Sequence, residues 1–400
     1  MKILLGSDTY PPDVNGAARF TERLAHGLAG RGHEVHVVCP SDSGAPELHL
    51  SRGIQVHQVT SHRTRAYPAF RLPAPWLVRG EAQALVNRIQ PDVVHVQDHF
   101  FLGRALAATA QFYGVPLVAT NHLMPENFFD HVPVPGTFRE PAARWLWRDL
   151  ARVYAGAAAL TSPTPRAVEL LRRNTGRLDA QPVSCGIESG PDASAAARAR
   201  TDPAHPTVLF VGRLDSEKRV DELLRAFAAL PPRLAGARLE IVGKGPRLEG
   251  WSRLTDRLGL SERVRFAGFV SDAELIDLYA RAAVFCMPGV AELQSLVTLE
   301  AMSAGKPVVA ANAMALPHLV TDDVNGYLFT PGDVTGLTDR LTRLLDDPAL
   351  RAAMGRRSQD KVVEHAFGRT LDAFERLYAN VSPARTRRAP VRDREPVGAR

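Results

Sequence analysis

Cysteine is scarce: Cys39, Cys185 and Cys286 are the three in 400 residues, odd in number and far apart. That excludes a disulfide framework and a clustered zinc site, and a reducing compartment, the cytoplasm, is the expected setting. Long apolar runs are missing too. Arg, Asp or Gly breaks every stretch before the roughly 18 residues that a membrane-spanning helix needs. The apolar start, Ile3-Leu4-Leu5, is too short for a signal sequence and reads as a buried first strand. Lysine occurs only at positions 2, 218, 244, 306 and 361, so arginine is the default cation and each lysine is a candidate for a particular task. Positive charge is sparse once it is located. The formal net charge is +6, and residues 381–400 hold six Arg against Asp393 and Glu395, a net +4, which leaves +2 for the rest. A nucleic-acid footprint spread over the fold is thereby excluded, and the Pro/Arg-rich end is expected to be a disordered basic tail.

What is present is the balance of an ordinary globular chain, 45% apolar and 23% charged, over a length that suits two domains better than one core. Short apolar strands alternate with amphipathic helical patterns. Residues 2–7 precede a helix near 17–31 and a strand at 34–39; 92–96, a helix near 102–113 and 116–120 repeat the theme. Strands resume at 207–211, 238–242, 264–266, 284–286 and 306–310, separated by helices near 220–230, 247–258, 272–282 and 295–304. Unbroken apolar strands between helices imply parallel sheets covered on both faces. The expected fold is α/β, two doubly wound domains facing a central cleft, with ligands beyond the carboxyl ends of the strands. The expected boundaries are 1–188 for the first domain, 189–206 for an Ala/Pro-rich linker and 207–366 for the second domain. Residues 367–380 are expected to form a closing helix that packs back on the first domain, ahead of the tail at 381–400.

Three segments carry chemistry. Val211-Gly212-Arg213-Leu214-Asp215-Ser216-Glu217-Lys218 follows an apolar strand and opens a helix. Gly212 suits a sharp turn, and Arg213 and Lys218 then stand beside a helix amino terminus, a site for a diphosphate. An ordinary strand-to-helix turn with solvated charges fits the same spacing. Val242-Gly243-Lys244-Gly245-Pro246 is a second such turn and reads as plain turn geometry. Further on, Glu292 falls in a loop after a strand, and Glu300 falls within the next helix on a face otherwise apolar. A carboxylate there is costly unless it is paired or hydrogen-bonded. A structural salt bridge would satisfy it, and so would the two hydroxyl hydrogens of a vicinal diol.

Glu292-x7-Glu300, followed by Ala301-Met302-Ser303-Ala304-Gly305-Lys306-Pro307, resembles the donor-site signature of retaining glycosyltransferases of the GT-B architecture, family four (group 1 type). Four other segments agree in the family's order. They are Asp8-Thr9-Tyr10-Pro11-Pro12-Asp13-Val14-Asn15-Gly16, Pro91-Asp92-Val93-Val94-His95-Val96, Phe210-Val211-Gly212-Arg213-Leu214 with Glu217-Lys218, and Phe266-Ala267-Gly268-Phe269-Val270-Ser271-Asp272. The resemblance runs from residue 1 to about 380. It implies two Rossmann-like domains that move a hexose, of mannose or glucose type, from a nucleotide-diphosphate sugar of UDP or GDP type to a hydroxyl. No cofactor and no metal are implied. Gly16 would let the first loop approach the donor sugar and diphosphate, and Arg213 and Lys218 would neutralise that diphosphate. Glu300 would hold the ribose hydroxyls, Glu292 would contact the transferred sugar, and Val270 would meet the base through its backbone. His122, in Thr120-Asn121-His122, would stand beside the donor sugar. Ser295 suits a helix N-cap that leaves the N–H groups of Leu296 and Val297 for phosphate. The chain departs from the family in three places. Asn15-Gly16 stands for Gly-Gly, Leu293-Gln294-Ser295 for Gly/Ser-Phe-Gly, and Ala313-Met314-Ala315-Leu316-Pro317-His318 for Gly-Gly-x-x-Glu, so no acidic residue is expected in the last.

Acceptors in this architecture bind mainly to the first domain. There Asn121 to His131 mix polar and aromatic side chains in an expected loop. The helix expected from 137 to about 156 sets Arg144, Arg148 and Arg152 on one stripe, with Trp145, Trp147, Leu150 and Tyr154 nearby. This reads as contact with an anionic membrane, hence a lipid-linked acceptor at the inner face of the cell membrane, or as a packed helix with a solvated arginine face. His95, Asp98, His99 and His131 match no compact ligand set, so no metal is expected. The rival readings are a nucleotide-sugar epimerase, a phosphorylase and a non-catalytic nucleotide-sugar-binding regulator of the same fold. A phosphorylase would need a pyridoxal-binding lysine, for which Lys306 is the late candidate.

Overall fold

The computed structural model describes residues 1–13, 15–63, 71–125, 136–188, 202 and 204–382. Val14, residues 126–131 of the expected acceptor loop with its His131, residues 189–201 and 203 of the expected linker, and residues 383–400 of the expected tail lie outside the described residues.

The first half runs β1 (Lys2–Gly6), α1 (Gly16–Gly30), β2 (Glu34–Pro40), β3 (Glu47–Ser51), β4 (Ile54–Val59), β5 (Ser61–Arg63), β6 (Arg71–Pro73) and α2 (Val78–Ile89). It continues with β7 (Val93–Val96), α3 (Phe101–Tyr113), β8 (Leu117–Thr120), α4 (Gly136–Val153), β9 (Ala159–Ser162), α5 (Pro165–Thr175) and β10 (Gln181–Pro182). Eight of these strands form one sheet in the order β10-β9-β8-β7-β1-β2-β4-β3. The second half runs β11 (Thr207–Val211), α6 (Val220–Ala228), β12 (Arg238–Val242), α7 (Leu248–Arg257), β13 (Val264–Gly268), α8 (Asp272–Arg281), β14 (Val284–Met287) and α9 (Leu296–Ser303). It ends with β15 (Val308–Ala311), α10 (Leu316–Leu319), β16 (Gly326–Phe329), α11 (Val334–Asp346), α12 (Pro348–Val362) and α13 (Phe367–Val381). Its six strands are ordered β13-β12-β11-β14-β15-β16.

Pairing in both large sheets is parallel except between β3 and β4. That antiparallel edge is exposed from Glu47 to Leu50, which corrects the expectation that both faces are covered throughout. The strand interiors explain the rest. Ile3, Leu4 and Leu5 in β1, like Val208, Leu209 and Phe210 in β11, are fully buried because helices cover both sides. In the first sheet β1 lies between β7 and β2, and in the second β11 lies between β14 and β12. The winding reverses at each of these strands and opens a crevice beyond its carboxyl end.

Local sequence sets where the helices start. The Asn15 side chain accepts from Ala18 N at 2.8 Å to open α1, Thr164 accepts from Ala167 N at 3.2 Å to open α5, and Ser271 accepts from Glu274 N at 3.2 Å to open α8. After α12 the chain returns to the first half. Ile187 N–H donates to His365 C=O and Phe367 N–H to Ile187 C=O, each at 2.9 Å, so the two crossing segments run side by side. Beyond them α13 lays Phe367, Leu371, Phe374, Leu377 and Tyr378 into the buried cluster that holds Ile3, Leu5, Phe20 and Leu24. Among the described residues no helix is long and apolar enough to cross a membrane.

Candidate functional site

The loop after β11 is held by the loop after β12. Gly212 N–H donates to Val242 C=O at 3.0 Å, and Leu214 N–H to Lys244 C=O at 2.9 Å. A side chain at Gly243 (φ 135°) would sit 1.9 Å from the Gly212 oxygen, and one at Gly245 would sit 2.6 Å from the Leu214 oxygen. The second glycine turn therefore serves close packing of the first. At the end of the first loop Arg219 is left-handed (φ 50°), while Gly212 makes its turn without a positive φ.

Both cations of this loop are paired with carboxylates, Lys218 nearly buried and Arg213 partly exposed. Lys218 Nζ lies 2.5 Å from Glu292 Oε1 and 3.5 Å from Glu217 Oε1. Arg213 reaches Asp215 Oδ2 at 2.7 Å and Glu217 Oε1 at 4.0 Å. Two positive charges thus stand among three carboxylates. Burial works to lower the Lys218 pKa, but Glu292, Glu217 and the hydrogen bond to Glu292 outweigh it, and the ammonium is held above its ordinary value. Burial raises the Glu217 carboxyl in spite of Lys218 and Arg213. The backbone ties both ends of this arrangement: Val290 N–H donates to Glu217 C=O at 3.0 Å and Ala315 N–H to Glu292 C=O at 3.1 Å.

Glu300 makes no salt bridge among the described residues, and Asp272 is an acid that acts on it. The Glu300 Oε2 accepts from the Tyr279 hydroxyl at 2.9 Å, and Oε1 makes no hydrogen bond to a described residue. Burial raises its pKa, opposed by the Tyr279 hydrogen bond and by Arg23 and Arg19 of α1. Ser295 corrects its assignment. It precedes α9, but with φ 64° its hydroxyl turns to Thr298 Oγ1 at 2.8 Å and caps no backbone N–H. The left-handed backbone leaves the N–H groups of Leu296 and Val297 without an acceptor among the described residues. Val270, one residue before the Ser271 cap, packs its side chain on the core of the second half, while its backbone groups bond no described residue.

On the facing half, Gly16 occupies the exposed first turn of α1, and nothing lies within 4 Å of where its Cβ would be. His122 is engaged on both sides: Nε2 donates to Gln97 Oε1 at 2.9 Å, and Nδ1 lies 3.9 Å from Cys185 Sγ. Its ring stands 5.0 Å from that of Phe20. Burial lowers its pKa to about 4, so at neutral pH the imidazole is an uncharged donor. Across the halves, Arg23 and Arg19 act on Glu300, and Cys185 links His122 to Gln294 of the Glu292 loop. Sequence reasoning passed over Gln294, Gln97, Tyr279 and Arg23. Gln294 had a signal, since it stands where the resembled family carries Phe.

The α4 stripe divides. Trp147, Leu150 and Tyr154 are core residues, whereas Trp145 and Phe138 are 58% and 63% exposed beside Arg144, Arg148 and Arg152. His95 and His99 are both buried, and His95 is spent on Tyr378 and Thr120, each at 2.7 Å.

Residues 14–188 match the family described as Glycosyltransferase Family 4, and residues 195–361 the family described as Glycosyl transferases group 1. The chain is 32% identical over 369 residues to D-inositol 3-phosphate glycosyltransferase of Streptomyces avermitilis, covering 86% of this chain and 78% of that one. It is 29% identical over 382 residues to glycogen synthase of Mycobacterium tuberculosis, covering 90% of each. Its fold is similar to that of sucrose-phosphate synthase from Thermosynechococcus elongatus, with a TM-score of 0.78 at 21% identity over 95% of this chain and 99% of that one. Two Rossmann-like halves agree with these relatives, and the chain belongs to the group 1, family four glycosyltransferases of GT-B architecture.

Proposed function

We propose that this chain is a retaining hexosyltransferase that moves a mannose- or glucose-type sugar from a UDP- or GDP-type donor to a hydroxyl acceptor. The observation that carries the reading is the contact between Lys218 and Glu292, a few residues before the Leu296 and Val297 N–H groups, which have no acceptor among the described residues. It would set a cation for the diphosphate and a carboxylate for the sugar within one hydrogen bond of each other. A donor diphosphate would draw Lys218 from Glu292 and release that carboxylate to the sugar hydroxyls. Arg213, Lys218 and the amino end of α9 would carry the charge that grows on the leaving phosphate, which makes electrostatic stabilisation the main term and asks for no metal. Glu300 Oε1 would accept from the ribose diol, with Val270 at the base. His122 would stand beside the sugar, its one N–H already given to Gln97, and Gly16 would leave room for the donor beside α1.

In the reaction the bond from the anomeric carbon to the phosphate oxygen breaks, and the bond to the acceptor oxygen forms on the same face. The acceptor's proton passes to the departing phosphate. Closure of the halves excludes the water that would otherwise hydrolyse the donor. The acceptor is proposed to be lipid-linked, at the inner face of the membrane, because Phe138 and Trp145 are exposed beside three arginines of α4. A thermal-shift panel of UDP-, GDP- and ADP-sugars, followed by NMR of the product's anomeric centre, tests the reading. Inversion at that centre, or failure of every donor to bind, overturns it. Anionic vesicles should co-sediment the wild type and release a variant with charge reversal at Arg144, Arg148 and Arg152. Sedimentation that survives the reversal points to a soluble acceptor.

A further inference from the structure

The loop that carries Glu292 belongs by sequence to the second half, yet its far end is fastened to the first. Thr164 Oγ1, at the start of α5, donates to the Leu293 carbonyl at 2.9 Å. Gln294 goes further. Its Oε1 accepts from Cys185 N–H at 2.8 Å, and its Nε2 donates to Ser184 Oγ at 2.6 Å. Ser184 Oγ in turn lies 2.9 Å from His365 Nδ1, and Thr370 Oγ1 donates to the Ser184 carbonyl at 2.9 Å. Because the Gln294 amide and Gly186 N–H both donate to that hydroxyl, its own proton is directed to His365, which burial keeps neutral with a pKa of about 4. Gln294 is itself 4% exposed.

We infer that Gln294 is a positioning residue that fastens the donor loop to the seam where the chain crosses between the halves, so that closure and the placing of Glu292 are one event. The inference rests on the proposed transfer reaction for its kinetic consequence and on the structure alone for the fastening. Short spacing in the chain and two contacts make the link physical. Gln294 is two residues from Glu292 and two from Leu296. The Cys185 whose amide it holds presents its sulfur to His122 at 3.9 Å. The segment it grips is the one paired with the returning strand at Ala366. The groups proposed for the sugar on both halves thus hang on one buried carboxamide, which satisfies one donor and one acceptor of the crossing segment. An apolar residue at this position could not do so.

Gln294→Leu, Ser184→Ala and the double variant test it. Transfer kcat should fall about tenfold or more in Gln294→Leu, the size set by one buried hydrogen bond. The Kd of UDP or GDP should stay within about twofold, because plain nucleotide does not need the sugar-side groups. The double variant should be no worse than the poorer single, since both remove one contact. Hydrogen exchange should speed up at the Cys185 amide and across residues 290–297 together. A wild-type kcat in Gln294→Leu, or equal losses of kcat and nucleotide affinity with a lowered Tm, would overturn the inference. Should Gln294→Leu fail to fold, Ser184→Ala carries the same reading, and unchanged exchange at residues 290–297 in that variant would overturn it as well. Exchange needs no turnover, so a wild type that transfers no sugar would sink the reaction assignment while the fastening is judged separately.

Discussion

Replacing Lys218 and Arg213 separates charge from scaffolding at the scale of single residues. Either alanine variant should lower kcat/KM by about two to four orders of magnitude, as when one charge contact to a transition state is lost. Their stabilities should differ. Arg213 is 38% exposed, whereas Lys218 is nearly buried between Glu217 and Glu292, so Lys218→Ala strands two carboxylates. It should cost about 3 kcal/mol in denaturant unfolding, against under about 0.5 for Arg213→Ala. Equal stabilities would show that the buried network adds nothing. Glu300→Gln should weaken plain nucleotide and intact donor alike, because the ribose is common to both. Glu292→Gln should spare the nucleotide and damage transfer. Calorimetric titration of both variants decides this, and matching losses of nucleotide affinity would contradict the division. The two cations were legible from the motif around them. Their carboxylate partners were not, because Glu292 lies 74 residues from Lys218 and only the meeting of two strand ends joins them.

Among the elements, α13 lies furthest in sequence from what it supports. Phe374 is fully buried against Phe20, with ring centroids 6.0 Å apart, and Tyr378 bonds His95. Phe374→Ala should cost about 3–5 kcal/mol, taken from the first half, some 350 residues upstream of the change. Urea unfolding of a two-part chain need not be a single step, so near-UV circular dichroism should show the first half melting earlier and the second unmoved. A shift of both together would mean that the halves unfold as one. Elements were readable where apolar residues run together, as in β1, β11 and β14. They were silent where burial rests on small or hydroxylated residues. In β9 the fully buried Thr161 and Ser162 bond Thr120 and the Asn121 carbonyl instead of offering a hydrophobic signature. In α12 the buried positions are Met354, Gly355, Ser358 and Val362, with two large apolar side chains among four. Side chains cap the helices that follow Asn15, Thr164 and Ser271, whereas Ser295, the residue expected from the sequence to cap, is turned away by its αL backbone.

Acid should act on the whole molecule through its buried histidines. Burial lowers the pKa of His57, His99 and His365 to about 4 and that of His95 to about 3. The unfolded chain protonates them at their ordinary value near 6.5, so the stability they lend is complete above about pH 6.5 and is lost as the pH falls towards 4. At pH 5 each withholds about 2 kcal/mol, and four together reach the order of a domain's whole stability. Buried carboxyls held high, such as Asp8 and Glu300, return part of this. Thermal melts should drop steeply between pH 6.5 and 5, and a flat profile there would show these histidines charged in the fold.

Were the halves to turn about the seam at Ile187 and Ala366, movement would be graded along the cleft. Arg23 still touches the seam through the Cys185 carbonyl at 3.1 Å, and Arg19, one turn further along α1, already reaches Asp272 across the cleft at 4.0 Å. Rotation about one edge sweeps short arcs near that edge and long arcs away from it. His122 and Glu292, the groups proposed for the sugar, are tied to that edge through Cys185 and Gln294; Val270, proposed for the base, is two residues from Asp272. Opening would therefore loosen a bound nucleotide from its base inward, with the sugar pocket the last part to lose its shape.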